Sequence, residues 1–144
     1  LNNEALTIEQ FCHRAHKSAK ELLNGQQINL KWDCNVGKYD KYLLPPTEII
    51  HLSRMLEEGV VNAIKHAETG EIHLLCFIEE GQLCMHITDY GKGFSFTEEQ
   101  MNEHYGLSNM QKRATEIGAQ IRWEPNPTKG TTLRILFPLK PKTG

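Results

Sequence analysis

Hydrophobic residues recur at steps of three and four along two long stretches of the chain, the spacing of one buried helix face. The first stretch covers residues 5–23 and the second runs from about Thr47 to Ala67. In the first, Thr7 followed by Gln10 resembles a capping box, which satisfies backbone N–H groups at the start of a helix. In the second, the apolar stripe consists of Ile49, Leu52, Leu56, Val60, Ala63 and Ala67. We therefore predict an amphipathic helix over each stretch.

Alternating apolar and polar residues predict strands elsewhere in the chain. The predicted strands cover residues 28–34, 71–79, 82–88, 119–124 and 131–138. Short connections at 80–81 and 125–130 predict two antiparallel hairpins. A third helix is predicted between Gly106 and Gly118. This order of elements predicts an α+β fold, a two-layer α/β sandwich with a mixed, mostly antiparallel sheet covered by helices on one face.

The second predicted helix has a polar face as well as an apolar one. At about 100° per residue, Glu58, Asn62 and Lys65 lie within roughly 60° of one another, almost opposite the apolar stripe. His66 lies close beside them. A solvated helix surface is the commoner explanation of such a pattern taken alone, so its chemical meaning depends on the segments that follow.

A carboxylate and two glycines follow the predicted strand 82–88. Gly91 and Gly93 allow the backbone after Asp89 to approach a ligand closely or to adopt a positive φ. A tight turn explains the same residues equally well. The polar residues 95–105 then predict a short lid that leads to Gly106, where unpaired N–H groups of a helix start can bind phosphate.

Composition excludes several classes of protein. The chain has 144 residues, of which 39% are hydrophobic and 24% charged, as in one ordinary globular domain. A net charge of −2 without a Lys/Arg run gives no electrostatic case for nucleic acid or membrane binding. The four cysteines lack C-x-x-C spacing, so we expect reduced core thiols, with a zinc site of Cys and His as the minor alternative. The first residue is Leu1 rather than Met, which suggests a piece of a longer protein.

Four segments together resemble the ATP-binding domain of the gyrase, heat-shock chaperone, histidine kinase and MutL (GHKL) superfamily, whose fold is called the Bergerat fold. Residues 58–67 resemble its N box, and residues 89–94 its first glycine box. Residues 105–110 resemble its second glycine box, and residues 129–132 its Gly-Thr box. All four occur in the order of the superfamily, and the resemblance covers roughly residues 28–139.

In detail the sequence is most similar to bacterial sensor histidine kinases of the nitrate-sensor subfamily. The pattern R-x-x-x-E-x-x-x-N-A-x-K-H-A begins at Arg54, and Y-G-L-x-x-M-x-x-R-A begins at Tyr105. The resemblance implies a protein histidine kinase domain of a two-component system that presents the γ-phosphate of ATP to a histidine on a dimerisation segment absent from this chain. Residues 1–27 would connect from that segment, and residues 140–144 would form a loose tail.

The resemblance also implies a role for each site residue. Asn62 would bind Mg²⁺ through its side-chain oxygen. Glu58 would be the catalytic residue that holds or polarises a water molecule, and Asp89 would accept a hydrogen bond from the adenine amine. Lys65 and His66 would contact the phosphates of ATP. The remaining nucleotide-binding residues would be Gly91, Gly93, Tyr105, Gly106, Leu107, Thr131 and Thr132.

The partners implied are the dimerisation and histidine-acceptor domain of the same kinase and, through the full kinase, a response regulator. The full protein would be a cytoplasmic or membrane-anchored homodimer in which this domain contacts neither membrane nor nucleic acid. Two alternatives remain open at this point. One is a stand-alone serine kinase of the anti-sigma-factor type, and the other is a non-catalytic, ATP-gated interaction module.

Overall fold

The computed structural model describes residues 4–66, 68–91, 107–126 and 129–140. Its three described helices are α1 (Ile8–Leu23), α2 (Pro46–His66) and α3 (Leu107–Ile117). The main sheet has the strand order β2-β4-β5-β7-β6. These strands are β2 (Asn29–Asn35), β4 (Glu71–Glu79), β5 (Gln82–Asp89), β6 (Gln120–Pro125) and β7 (Thr131–Pro138). A two-stranded sheet joins β1 (Leu6–Thr7) to β3 (Leu43–Leu44).

Helix α1 begins three residues later than predicted. The residues before it pair with β3 instead, and Thr7 then caps the helix. The capping box is confirmed, because Gln10 N–H donates to Thr7 Oγ1 over 3.1 Å and Thr7 N–H donates to Gln10 Oε1 over 2.9 Å. The connection between β2 and α2 contains a 3₁₀ turn (Gly37–Tyr39) as well as β3.

The sheet is mixed and mostly antiparallel, as predicted. Strands β2 and β4 are parallel, which the intervening helix α2 makes possible, since parallel neighbours need a crossover connection. The other three pairs are antiparallel, and both predicted hairpins, β4–β5 and β6–β7, are present. Strand β5 continues one residue further than predicted, because Asp89 pairs with Thr131. This extension places a carboxylate inside the end of the sheet.

The core lies between the helices and one face of the sheet. The sheet contributes Ile72, Leu74, Leu83, Met85, Leu133 and Ile135, and α2 contributes Leu52, Met55, Leu56 and Val60, all almost fully buried. On the other face of β4 the side chains of His73, Leu75 and Phe77 are only half-buried. Helix α2 packs closely, since a Cβ at Gly59 would lie 2.8 Å from Ile87 Cδ1 and 2.9 Å from Leu133 Cδ2.

The prediction of four core thiols is wrong for one cysteine. Cys12, Cys76 and Cys84 are buried, whereas Cys34, on the edge strand β2, is exposed. The described residues contain no group of three or more His, Cys, Asp or Glu side chains placed to hold a metal ion. Within the same residues, no helix combines the length and apolar character needed to cross a bilayer.

Candidate nucleotide-binding site

Asp89 is a buried carboxylate at the last position of the central strand β5. Only 5% of the residue is exposed. Burial raises the pKa of this carboxyl above its ordinary value, while backbone hydrogen bonds from Gly91 and Thr131 oppose that rise. The Gly91 N–H donates to Asp89 Oδ1 over 3.1 Å. Since an ionised carboxylate has about four acceptor positions, it can also accept a hydrogen bond from a ligand.

A chain of polar side chains holds the backbone around Asp89. The Asn126 Nδ2 group donates to the carbonyl oxygens of Asp89 and Lys129, both over 3.2 Å. Asn126 Oδ1 accepts from Thr132 Oγ1 over 2.7 Å. Thr132 has thereby used its one hydrogen, so Thr88 Oγ1 donates to Thr132 Oγ1 over 2.9 Å. The network links β5, β7 and the loop between β6 and β7 through side-chain hydrogen bonds.

Gly130 brings the β6–β7 loop against the Asp89 backbone. Its φ is +89°, and a Cβ at this position would collide with the carbonyl oxygen of Asp89. Thr131 follows, with 2% of its surface exposed. The Thr131 Oγ1 atom is buried and has no hydrogen-bond partner among the described residues. A buried unpaired hydroxyl beside a buried carboxylate is suited to a ligand atom or a bridging water molecule.

Thr69 fixes the opposite side of the Asp89 turn. The Tyr90 N–H donates to Thr69 Oγ1 over 3.0 Å, and Thr69 Oγ1 donates to the carbonyl oxygen of Glu71 over 2.6 Å. The segment that contains Asp89 is therefore tied to the connection between α2 and β4. Sequence reasoning missed both Thr69 and Asn126 as site residues. The available indication was that each is a turn residue whose side chain can bond to nearby backbone, Thr69 beside a glycine and Asn126 between two prolines.

The polar face of α2 is not uniformly solvated. Asn62 is only 5% exposed, whereas Glu58 and Lys65 are exposed. Glu58 lines a cavity of about 490 Å³ between α2 and α3, together with Asn109 and Arg113. The C-terminal end of α2 lies at the same end of the sheet as Asp89, because the connection after α2 binds Tyr90. The last turns of α2, with the buried Asn62 and the exposed Lys65, therefore lie at the Asp89 end of the sheet.

Helix α3 is fixed to α2 by a charged cluster. Arg113 Nη1 donates to His51 Nδ1 over 3.3 Å, and His51 Nε2 lies 2.9 Å from Glu116 Oε2. Both ring nitrogens of His51 therefore face side chains of α3, one an arginine and the other a glutamate. The predicted site residue Leu107, half-buried, is the first residue of α3. The predicted residues Gly93, Tyr105 and Gly106 and the side chain of His66 lie outside the described part of the chain.

The residues present fit a nucleotide with a hydrated magnesium ion. Asp89 and Thr131 offer buried polar atoms to a ring that carries an amine. Asn62 has the hard oxygen donor that Mg²⁺ prefers, and this ion normally keeps several waters and takes phosphate oxygens as ligands. A site of that kind does not need a cluster of metal-binding side chains.

Structural comparison identifies the architecture. The catalytic domain of the histidine kinase ThkA, in a nucleotide-free form, matches with a TM-score of 0.72 and 14% identity over 96% of both chains. The histidine kinase AdeS of Acinetobacter baumannii matches with a TM-score of 0.74 and 14% identity, covering 98% of this chain and 69% of that one. At this identity the likeness shows the fold, which is that of histidine kinase catalytic domains.

Sequence comparison gives relatives over part of the chain. The sensor protein VraS of Staphylococcus epidermidis is 36% identical over 89 residues, which are 62% of this chain and 25% of that protein. VraS of Staphylococcus haemolyticus is 35% identical over the same span. This chain thus spans about a quarter of these relatives. Residues 47–141 match the model of the family described as histidine kinase-, DNA gyrase B- and HSP90-like ATPase. The chain therefore belongs to this ATPase family, as an ATP-binding domain of the type found in sensor histidine kinases.

Proposed function

We propose that the domain binds Mg²⁺-ATP with the adenine against Asp89 and presents the γ-phosphate to a histidine of an acceptor segment in the full sensor kinase. The observation that carries this proposal is the buried Asp89 carboxylate beside the unpartnered Thr131 hydroxyl. A carboxylate accepts a hydrogen bond from the exocyclic amine of adenine. Guanine has a carbonyl oxygen at that position, so it would place two acceptors against each other without a proton between them.

The remaining residues are assigned to the phosphate end of the nucleotide. Asn62 supplies an oxygen ligand to the ion, and Glu58 holds a water molecule in the cavity that it lines. Lys65 and His66 neutralise phosphate charge. We assign the backbone N–H groups of Gly106 and of Leu107, the first residue of α3, to the phosphate oxygens. Gly91, Gly93, Tyr105 and Thr132 complete the wall around the nucleotide.

Positioning and charge neutralisation supply most of the catalysis in this reaction class. A histidine ring nitrogen attacks the γ-phosphorus, the bond between that phosphorus and the β–γ bridging oxygen breaks, and ADP leaves. The bound Mg²⁺ would neutralise charge that develops on the phosphate oxygens. The chain's own groups hold the triphosphate in line with the incoming nitrogen.

The finer identity of the full protein is part of the same proposal. We place the chain in the nitrate-sensor subfamily and assign it a cytoplasmic position in a homodimeric kinase that passes its phosphoryl group to a response regulator. Residues 1–27 connect to the acceptor segment, residues 28–139 form the ATPase domain, and residues 140–144 are a tail. Helix α1 contributes Ile8, Phe11 and Leu23 to the domain's core, so a change in the acceptor segment can reach the ATPase domain through this helix.

Calorimetric titration of ATP, ADP and GTP with and without Mg²⁺ tests the proposal. We expect ATP and ADP to bind, GTP to bind far more weakly, and Mg²⁺ to strengthen ATP binding. The Asp89→Asn variant should weaken ATP binding about 10- to 100-fold, since a hydrogen bond to a charged group contributes about 1.5–3 kcal/mol. Asp40→Asn, at a half-buried acid in the loop between the 3₁₀ turn and β3, is the matched control.

Equal ATP affinities of the parent and Asp89→Asn would contradict the adenine assignment. For the ion, Asn62→Ala should reduce the gain in ATP affinity that Mg²⁺ produces. If the magnesium titrations of this variant and the parent coincide, Asn62 is not the ligand.

A further inference from the structure

The end of the sheet opposite Asp89 contains a second cavity, of about 410 Å³. Its walls are the segment of Lys38, Tyr39, Lys41 and Tyr42, the β4–β5 turn at Gly81, and the residues after β7, Leu139 and Lys140. Strand β5 separates the two sites, since it runs from the Gly81 turn to Asp89. At about 3.3 Å per residue the separation is roughly 26 Å. This cavity, which we call the lysine pocket, is therefore not part of the nucleotide site.

Every charged side chain among the described residues that line the lysine pocket is a lysine. The acids adjacent in sequence, Asp40 and Glu80, do not line it. Within the described part of the chain, no ion pair neutralises Lys38, Lys41 or Lys140. Three ammonium groups around one cavity, in a chain whose net charge is −2, make a local positive potential that favours an anion.

Hydrogen bonds hold the walls of the lysine pocket in place. The Tyr42 hydroxyl accepts from Lys140 N–H over 2.8 Å and donates to the Lys140 carbonyl oxygen over 3.2 Å. Leu139 N–H donates to the Gly81 carbonyl oxygen over 2.9 Å. Ile8 N–H donates to the Tyr42 carbonyl oxygen, also over 2.9 Å. A ligand would find the cavity already formed, which reduces the entropy lost on binding.

We infer that the lysine pocket binds a phosphate ester with an apolar or aromatic body. Lysine ammonium groups act as compact point charges and suit a small, multiply charged anion such as phosphate. Leu139 and the ring of Tyr39 supply apolar surface for the rest of the ligand, and the cavity has the size of small-molecule sites. The phosphate can belong to a soluble phosphorylated metabolite or to the headgroup of an anionic phospholipid.

Titration of the ¹⁵N-labelled domain with phenyl phosphate, followed by NMR, tests the inference. We expect saturable shifts of the amide signals of Tyr42, Gly81 and Lys140, and smaller shifts at Gly91 and Thr131. The double variant Lys38→Gln/Lys41→Gln should weaken this binding at least tenfold. The control is Lys17→Gln/Lys20→Gln, which removes the same charge from α1 outside the pocket. The spectra themselves report whether each variant is folded.

A second arm of the experiment identifies the source of the phosphate. Vesicles of phosphatidylcholine with phosphatidic acid are sedimented with the parent and with each double variant. Sedimentation that Lys38→Gln/Lys41→Gln removes and the control keeps identifies a lipid headgroup. Phenyl phosphate binding without vesicle binding identifies a soluble ligand. The inference is overturned by shifts that do not saturate, by shifts confined to Gly91 and Thr131, or by equal affinities of the two double variants.

Discussion

The two ends of the central strand hold polar groups in opposite ways. At the Asp89 end, polar side chains are buried and bonded to one another, and Thr132 and Thr131 are almost completely enclosed. At the Gly81 end, the polar groups are exposed lysine side chains that surround Tyr39 and Leu139. The Tyr42 hydroxyl is hydrogen-bonded to the backbone there. Both ends belong to the same strand pair, β5 and β7, so the sheet itself does not explain the difference.

This difference predicts how each end responds to change. A buried polar network requires each member, because a buried group that loses its partner costs about 1–3 kcal/mol of stability. Exposed charges contribute little to stability and are screened by salt. The Asp89 end should therefore be sensitive to single substitutions and selective for ligand shape. The Gly81 end should tolerate substitutions and bind its ligand with strong salt dependence.

The Gly130→Ala substitution should produce the largest effect on stability. The added Cβ would have to overcome both a φ of +89° and a collision with the backbone of Asp89. We expect a loss of at least about 3 kcal/mol in the free energy of unfolding, measured by urea denaturation.

The matched control for Gly130→Ala lies at the other end of the strand. Gly81 has a φ of +72°, but a Cβ there would have nothing within 4 Å. Gly81→Ala should therefore lose only about 1–2 kcal/mol, the cost of the left-handed backbone alone. Similar losses for the two variants would mean that the Asp89 end is not the more constrained one.

Sequence patterns were sufficient to predict the sheet and the helices. The period of two in 71–79 and 82–88 and the short turn at Gly81 determine a hairpin locally. The helix 46–66 follows equally well from its apolar stripe, and Met55, absent from that stripe, is also buried in it. The pairing of Leu6 and Thr7 with β3 was not predictable, because two-residue strands leave no period and their partner lies 36 or more positions away.

The candidate site was predictable as a set of segments but not as a network. Asp89 and the Gly-Thr segment could be named from the sequence. Their link through Asn126 could not, because it depends on how the β6–β7 loop folds over the end of β5. The burial of Asn62 between exposed neighbours was also hidden, since helical periodicity places Glu58 and Asn62 on the same face.

Thr132→Val should have the next largest effect. It keeps the shape of the side chain but removes the donor to Asn126 and the acceptor for Thr88. We expect a loss of about 1–3 kcal/mol in urea denaturation of the nucleotide-free domain. The adjacent Thr131→Val is the control, because the Thr131 hydroxyl has no partner in the described structure. Thr131→Val should leave the free energy of unfolding nearly unchanged and weaken ATP binding. If it lowers the free energy of unfolding as much as Thr132→Val does, the hydrogen-bond network around Thr132 is contradicted.

The ionisation of Asp89 should make stability depend on pH in an unusual direction. Burial raises the pKa of this carboxyl in the folded state, so between its ordinary pKa and the raised pKa the folded protein binds more protons than the unfolded one. The contribution of Asp89 to stability therefore falls as pH rises through that window. The ionised carboxylate lowers the free energy of unfolding most at pH values above the raised pKa. At pH values below the ordinary pKa this destabilisation is absent.

Urea denaturation of the parent and Asp89→Asn at several pH values measures this contribution. The free energy of unfolding of the parent minus that of the variant should be larger at acidic pH than at neutral pH. If this difference grows with rising pH, the folded protein stabilises the Asp89 anion. The conclusion that burial raises the pKa of Asp89 would then be wrong.

Tyr42→Phe should have the smallest effect, because it acts at the exposed end. The hydroxyl bonds to the N–H and the carbonyl oxygen of Lys140, but water can replace both interactions at this surface. We expect a loss of no more than about 1 kcal/mol in urea denaturation. Tyr39→Phe, which leaves both Tyr42 bonds in place, is the matched control. If Tyr42→Phe lowers the free energy of unfolding as much as Thr132→Val does, a hydrogen bond is essential to the stability of the Gly81 end as well. The two ends would then differ only in charge.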